Sequence, residues 1–430
     1  MRRSRPDIRK PCAVAAVVLL TGCAAAGSIQ SSSPGRPHRQ PAPAGAMARG
    51  GAVARAGATV RGGVVASSGA HVLSGPRATL ASTPVQPAAA LPPMTDRQLA
   101  GQRVIYSYSG LTPPACLLRR IRHGQVAGVI FFGQNISSRA QIARVAAQLQ
   151  HADQSSLNPV QEPLLLMTDQ EGGLVRRLPG SPAKSEKQVG ESANPGSAAR
   201  NAGRGAGRNL HGVGLNVNLA PVLDVYRKAG NFIDEFGRSY SMDPNVVSAL
   251  GADFIKAQQA KGVAATSKHF PGLGAATTSQ NTDERPVTLN LSKSQIQTMD
   301  EFPYQAAIAA GVKLIMVSWA SYPALGSHRP AGLSSKVVQG ELRQRLGFTG
   351  VTITDALEAG GLVHYGSIAN RSVLAATAGM DLLLCSEQHT SQGVQALDAL
   401  LGGYRDGTLN QSDFQASVAR VIALRASLAG

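Results

Sequence analysis

The sequence predicts an α/β fold closed into a (β/α)8 barrel of the TIM type, preceded by a disordered N-terminal tether. Three observations carry that expectation. Short apolar runs recur eight times, at about 103–107, 128–132, 163–168, 215–219, 263–268, 313–318, 350–354 and 381–385. The stretches between them are too long for hairpins, so consecutive strands must run parallel with crossovers. Eight such units in a chain of 430 residues point to closure into a barrel rather than an open sheet. A doubly wound sheet would want a glycine fingerprint directly after its first strand. The cluster Gly203, Gly205 and Gly207 instead lies inside a helical stretch with the wrong spacing.

Each segment follows in order. Residues 1–23 read as an export signal: Arg2, Arg3, Arg5, Arg9 and Lys10 precede a short apolar stretch, Ala13 to Leu20. That stretch is too short for a permanent membrane span. It ends in Leu20-Thr21-Gly22-Cys23, which resembles the bacterial lipobox, so Cys23 is the expected lipidation site. Stable anchoring of that kind uses several acyl chains. Residues 24–93 hold no acid and no Phe, Trp or Tyr, and are rich in Ala, Gly, Ser and Pro. Such a segment buries too little apolar surface to offset its ordering entropy and is expected to be a tether. Its reach is on the order of 45 Å, from ~5–6 Å × √n. The folded domain is expected over 94–430, opening with a capping box of Thr95 and Gln98. Helix-like segments fall at 138–151, 244–260, 292–310, 335–346 and 367–378, with a last helix over about 411–427.

The formal charge of +17 is unevenly spread. Residues 1–93 carry eleven of the basic residues against one acid, Asp7, and the remainder has no run of like charge. A basic arm of this kind meets anionic headgroups or wall polymers more readily than nucleic acid, for which no motif is present. The four cysteines are Cys12, Cys23, Cys116 and Cys385. The last two could pair in an oxidising compartment, but far separation and an apolar setting favour two buried small hydrophobes. No zinc-type spacing and no P-loop occurs, so neither metal nor nucleotide cofactor is expected.

Polar residues at the ends of apolar runs locate the chemistry. Leu164 to Thr168 runs into Asp169, Val263 to Ser267 into Lys268 and His269, and Val351 to Thr354 into Asp355. In a barrel the C-terminal strand ends share one face, so these side chains should converge. The motifs around them are more specific. Asp169-Gln170-Glu171-Gly172-Gly173-Leu174-Val175-Arg176-Arg177, Asn216 to Val225 (NVNLAPVLDV), Phe236-Gly237-Arg238-Ser239-Tyr240, Lys268-His269-Phe270-Pro271-Gly272 and Thr354-Asp355-Ala356-Leu357 occur in this order. Together, over about residues 95–428, they resemble glycoside hydrolase family 3, in its single-domain bacterial β-N-acetylhexosaminidase form. The resemblance implies a retaining hydrolase with Asp355 as nucleophile. It also implies that Asp169, Arg177, Arg238, Lys268 and His269 bind the sugar. Cations and an imidazole near Asp355 would favour its ionised form. The bland alternatives are a structural ion pair for Arg177 and Arg238 and a satisfied core histidine for His269. Trp319 could stack on a sugar or pack as core.

One loop departs from the family. Where the N-acetylglucosaminidase branch carries a His–Asp acid/base pair, residues 273–286 contain no histidine. Three readings stay open. Asp283 or Glu284 donates the proton if burial raises its pKa; an acid comes from another loop; or the domain binds sugar without turning it over. The expected partner is a β-linked oligosaccharide or a peptidoglycan fragment, met at the outer face of the cytoplasmic membrane.

Overall fold

The structure is a computed structural model that describes residues 91–429. The expected signal segment, the Cys23 anchor and all but the last three residues of the tether lie outside the described residues. The domain opens as its sequence predicts. Gln98 donates its backbone N–H to Thr95 Oγ1 at 3.3 Å and Thr95 returns its own to Gln98 Oε1 at 2.9 Å, capping α1 (Asp96–Gly101).

Eight parallel strands close into a barrel in sequence order: β1 (Val104–Tyr106), β2 (Gly128–Ile130), β3 (Leu165–Thr168), β4 (Val217–Asn218), β5 (Ala264–Phe270), β6 (Leu314–Val317), β7 (Val351–Ala356) and β8 (Leu382–Leu384). Closure is made by β1 against β8, with Val104 opposite Leu383. The continuous apolar runs reflect burial on both faces. Ile105, Ile130, Leu165, Met167, Leu314, Met316, Ile353 and Leu384 fill the interior, while Tyr106, Val129, Leu166, Ile315 and Leu383 pack outward against helices. Burying each such side chain stabilises the fold by about 1.5–3 kcal/mol.

The crossover helices are α2 (Ala115–Arg122), α3 (Arg139–Asp153), α4 (Pro195–His211), α5 (Pro244–Gln259), α6 (Phe302–Ala309) and α7 (Ile368–Ala378), followed by α8 (Thr390–Arg405) and α9 (Gln411–Ala426). Between β6 and β7 the chain winds as a π-helix over Lys336–Arg345. The glycine cluster serves packing on α4: a β-carbon at Gly203 would lie 2.3 Å from the Phe254 carbonyl oxygen of α5. Val421 and Leu424 of α9 join the interior cluster and close the N-terminal end of the barrel.

The expected single helix over 292–310 is broken. A turn at Lys293–Gln295 passes into a π-wound stretch, Ile296–Asp300, before α6 begins with Pro303 in its first turn. Proline lacks the N–H and crowds the carbonyl four residues earlier, so the α ladder cannot run through it. Two small sheets flank the barrel mouth: a hairpin of Gln170–Gly172 with Val175–Arg176, and a parallel pair of Val287–Thr288 with Ala320–Ser321. Cys116 and Cys385 are both free thiols; Cys385 is buried, and Cys116 lies 3.8 Å from Thr390 Oγ1. Among the described residues no helix is long and apolar enough to cross a membrane.

Candidate active site

The strand ends that carry Asp169, Lys268, His269 and Asp355 meet at the C-terminal face, as the barrel geometry requires. They line a cleft of about 520 Å³ together with Arg177, Arg238, Asp283 and Glu358.

One wall is a charge network. Lys268 Nζ stands 2.8 Å from Asp169 Oδ1 and 2.8 Å from Glu171 Oε1, with only 3% of its side chain exposed. Arg238 grips Glu171 in a fork, with Nε and Nη2 each 2.9 Å from a carboxylate oxygen. Burial opposes the charge on Glu171, but Arg238 and then Lys268 hold it well below the usual carboxylate range. Burial likewise opposes the Lys268 cation, and Asp169 and Glu171 outweigh it, raising its proton affinity. Arg177 is looser: its backbone N–H donates to Asp169 O at 3.1 Å, while its buried Nε lies 3.8 Å from Asp169 Oδ2 and has no hydrogen-bond partner among the described residues. Its side chain is 37% exposed at the cleft, which leaves the terminal guanidinium N–H groups for a ligand. Arg238 therefore sits in an ion pair and lines the cleft as well.

His269 is held from behind. Its Nδ1 lies 2.7 Å from Asp224 Oδ2, while Asp224 Oδ1 accepts the backbone N–H of Leu273 at 2.6 Å. Asp224 is fully buried. Nε2 of His269 faces Arg238 Nη2 at 3.4 Å. A guanidinium has no acceptor, so the network assigns the proton to Nδ1 and acceptance to Nε2. Behind Glu171 lies Glu186, whose carboxylate accepts the Val222 N–H at 3.0 and 3.2 Å. Burial, then the Glu171 charge, pushes its carboxyl well above the usual range.

The opposite wall carries the reacting candidates. Asp355 is half-buried, and its Oδ1 accepts the Ala356 N–H at 2.8 Å. Asp283 sits at the mouth on the loop after β5. Water still reaches it, yet protein crowds it on the cleft side. That crowding first, and the negative charge of Asp355 second, push its carboxyl up to about 6. Glu284 does not join: its side chain is 60% exposed, pairs with Arg285 at 3.2 Å and lies outside the cleft lining. Both acids are exposed on the loop, and of the two only Asp283 lines the cleft. Trp319 offers no face to a sugar. It is fully buried, and its Nε1 donates to Ala356 O at 2.8 Å.

Three participants escaped the sequence reading. Glu171 and Asp224 stand inside motifs that were recognised, and an acid at a buried strand end was the available signal. Glu358 had none; it is located by Ser386 Oγ at 2.6 Å and Gln392 Nε2 at 2.8 Å.

Comparison with known proteins agrees with this geometry. The glycosyl hydrolase family 3 N-terminal domain matches residues 112–424. A secreted glycosyl hydrolase of Arthroderma benhamiae, itself uncharacterized, is 47% identical over 329 residues, covering 76% of this chain and 93% of that protein. The β-hexosaminidase of Stenotrophomonas maltophilia is 31% identical over 309 residues, covering 67% and 87%. The solved family 3 β-N-acetylglucosaminidase from a Paenibacillus species superposes with a TM-score of 0.73 at 34% identity, over 79% of this chain and 64% of that one. The β-N-acetylhexosaminidase of Beutenbergia cavernae gives 0.71 at 28% identity, over 78% and 99%. With its barrel, its ordered motifs and its converging carboxylates, the chain belongs to glycosyl hydrolase family 3 and is a glycoside hydrolase related to bacterial β-hexosaminidases.

Proposed function

We propose that this hydrolase removes β-linked N-acetylhexosamine units from the non-reducing ends of glycans, cell-wall fragments among them, with retention of configuration. The observation that carries the reading is the placement of Asp355 and Asp283 in one cleft, with the proton affinity of Asp283 raised. Two carboxyl groups with diverging proton affinities are what acid–nucleophile division of labour requires.

In the first step the Asp355 carboxylate attacks the anomeric carbon as its bond to the leaving oxygen breaks, and Asp283 gives its proton to that oxygen. A glycosyl-enzyme ester results. In the second step Asp283, now ionised, takes a proton from water; the water oxygen bonds to the anomeric carbon and Asp355 leaves. Lys268, Arg177 and Arg238 donate to sugar hydroxyls, Asp169 accepts from them, and His269 lines the same cleft beside Arg238. The preference for 2-acetamido sugars is supported by the activities named for the relatives. Residence at the outer membrane face is supported by the lipobox-like Cys23 and by the secreted relative. The domain division at residues 1–23, 24–93 and 94–430 belongs to the same proposal.

The test is mass spectrometry of the full chain after exposure to a 2-fluoro β-glycoside, whose deglycosylation is slow. An adduct on the peptide containing Asp355 supports the reading, whereas reversible binding without an adduct defeats it. The histidine-free loop at 273–286 favours a second reading, a sugar-binding lipoprotein that has lost turnover, and that result would support it.

A further inference from the structure

The Asp283 carboxylate has no hydrogen-bond partner among the described residues, so its position comes from its backbone alone. That backbone is clipped to the segment following Asp355. The Gly360 N–H donates to Asp283 O at 2.7 Å and the Gly361 N–H to Thr282 O at 2.8 Å. The approach is so close that a β-carbon at Gly360 would lie 2.1 Å from Glu284 O, and one at Gly361 would lie 2.8 Å from Thr282 O. Neither position tolerates a side chain while the clip is closed.

A buried strut lies under the clip. Trp319 donates from its ring to Ala356 O, the carbonyl next to Asp355, and its Cβ is 3.3 Å from where a Gly361 β-carbon would stand. Directly beyond Trp319, Ala320–Ser321 pairs with Val287–Thr288, the far end of the same loop. The donor loop is thus tied to the segments that follow β6 and β7, and Trp319 joins those segments.

We propose that Gly360, Gly361 and Trp319 are positioning residues that set the Asp283 carboxyl against Asp355, so that proton donation depends on the backbone clip. The inference rests on the reading of Asp283 as proton donor. Retaining glycosidases hold their two carboxyl groups about 5–5.5 Å apart, and a misplacement of about 1 Å can cost on the order of 10²-fold in rate. An alanine at 360 must drive the Asp283–Glu284 backbone away by more than ~1 Å to reach ordinary contact. It removes no hydrogen-bonding group and leaves the nucleophile strand unaltered.

The experiment compares the full-length wild type, Gly360→Ala and Asp283→Ala on a series of aryl β-N-acetylglucosaminides of graded leaving-group acidity. A dinitrophenolate leaves without protonation, whereas an alkyl or sugar alkoxide does not. In kcat/KM, which reports the glycosylation step alone, Gly360→Ala is expected to stay within about 3-fold of wild type on the dinitrophenyl substrate and to fall about 10²-fold on poor leaving groups. Asp283→Ala should show the same steepened dependence, with azide restoring turnover of the activated substrate. If Asp283→Ala shows no such dependence, the donor reading itself is wrong. If Asp283→Ala shows it and Gly360→Ala does not, the clip is structural only and the inference is overturned. Should Gly360→Ala fail to fold, Trp319→Phe, which keeps an aromatic ring but deletes the N–H to Ala356 O, takes its place. A dependence on leaving group unchanged from wild type in that variant would also overturn the inference.

Discussion

The two ends of the barrel are built from the same residue types and do opposite things. At the N-terminal end Asp381, fully buried, has both oxygens occupied. Arg343 meets Oδ2 at 2.6 Å beside the Thr352 N–H at 2.8 Å, and Arg420 meets Oδ1 through Nε at 3.0 Å and Nη2 at 2.8 Å. Arg425, with no exposed side-chain surface, pairs with Asp153 at 2.6 Å. At the C-terminal end Asp355 has one backbone N–H and the Asp283 carboxylate has no hydrogen-bond partner among the described residues. Charge count does not separate the two regions; whether the carboxylate oxygens are already filled does. Saturated buried ions hold elements in place, and unsaturated ones facing a cleft are available to a substrate.

Exchanging the same deletion between the two ends tests this contrast most sharply. Asp355→Ala should lower turnover by at least ~10⁴-fold, as expected when a nucleophile is removed, with its thermal midpoint nearly unchanged. Substantial residual activity would place the nucleophile elsewhere. Asp381→Ala should do the reverse. Removing the fully buried carboxylate that holds the part-buried Arg343 and Arg420 should cost about 3–5 kcal/mol in urea denaturation, while activity per folded molecule survives. A stable Asp381→Ala protein with lost activity would erase the distinction between the ends.

The smallest expected effect concerns pH. Asp283 binds its proton more tightly folded than unfolded, so its contribution to stability is complete below its ordinary value near ~3.9 and is lost as pH rises through about 6. Activity on poor leaving groups should decline over the same upper range as the donor ionises. Asp283→Asn should flatten the stability profile between those limits. Because water reaches the side chain, that change will be modest, and a profile parallel to wild type would show that the raised proton affinity is absent.

The barrel was legible in the sequence because strands buried on both faces leave uninterrupted apolar runs; all eight expected runs overlap the observed strands. The polar residues closing three of those runs led to one wall and the nucleophile candidate. What stayed hidden depends on partners far along the chain. Arg238 and Glu171 meet across 67 residues, and His269 and Asp224 across 45. Asp283 and Glu284 are adjacent, and only the turn geometry decides which carboxyl faces the cleft. Trp319 could not be assigned for a similar reason: a rim tryptophan and a buried strut share one local sequence context.

The closing helix α9 has a consequence for how the molecule is made. Its Arg425 bonds to Asp153, 272 residues earlier, and β1 joins β8 through Val104 and Leu383. A chain lacking α9 loses the Val421 and Leu424 side chains that cap the interior cluster at its N-terminal end. Contacts of such long range make assembly slow and cooperative. A nascent or truncated chain lacking α9 would present an open apolar tube, a natural target for chaperones and for proteolytic surveillance.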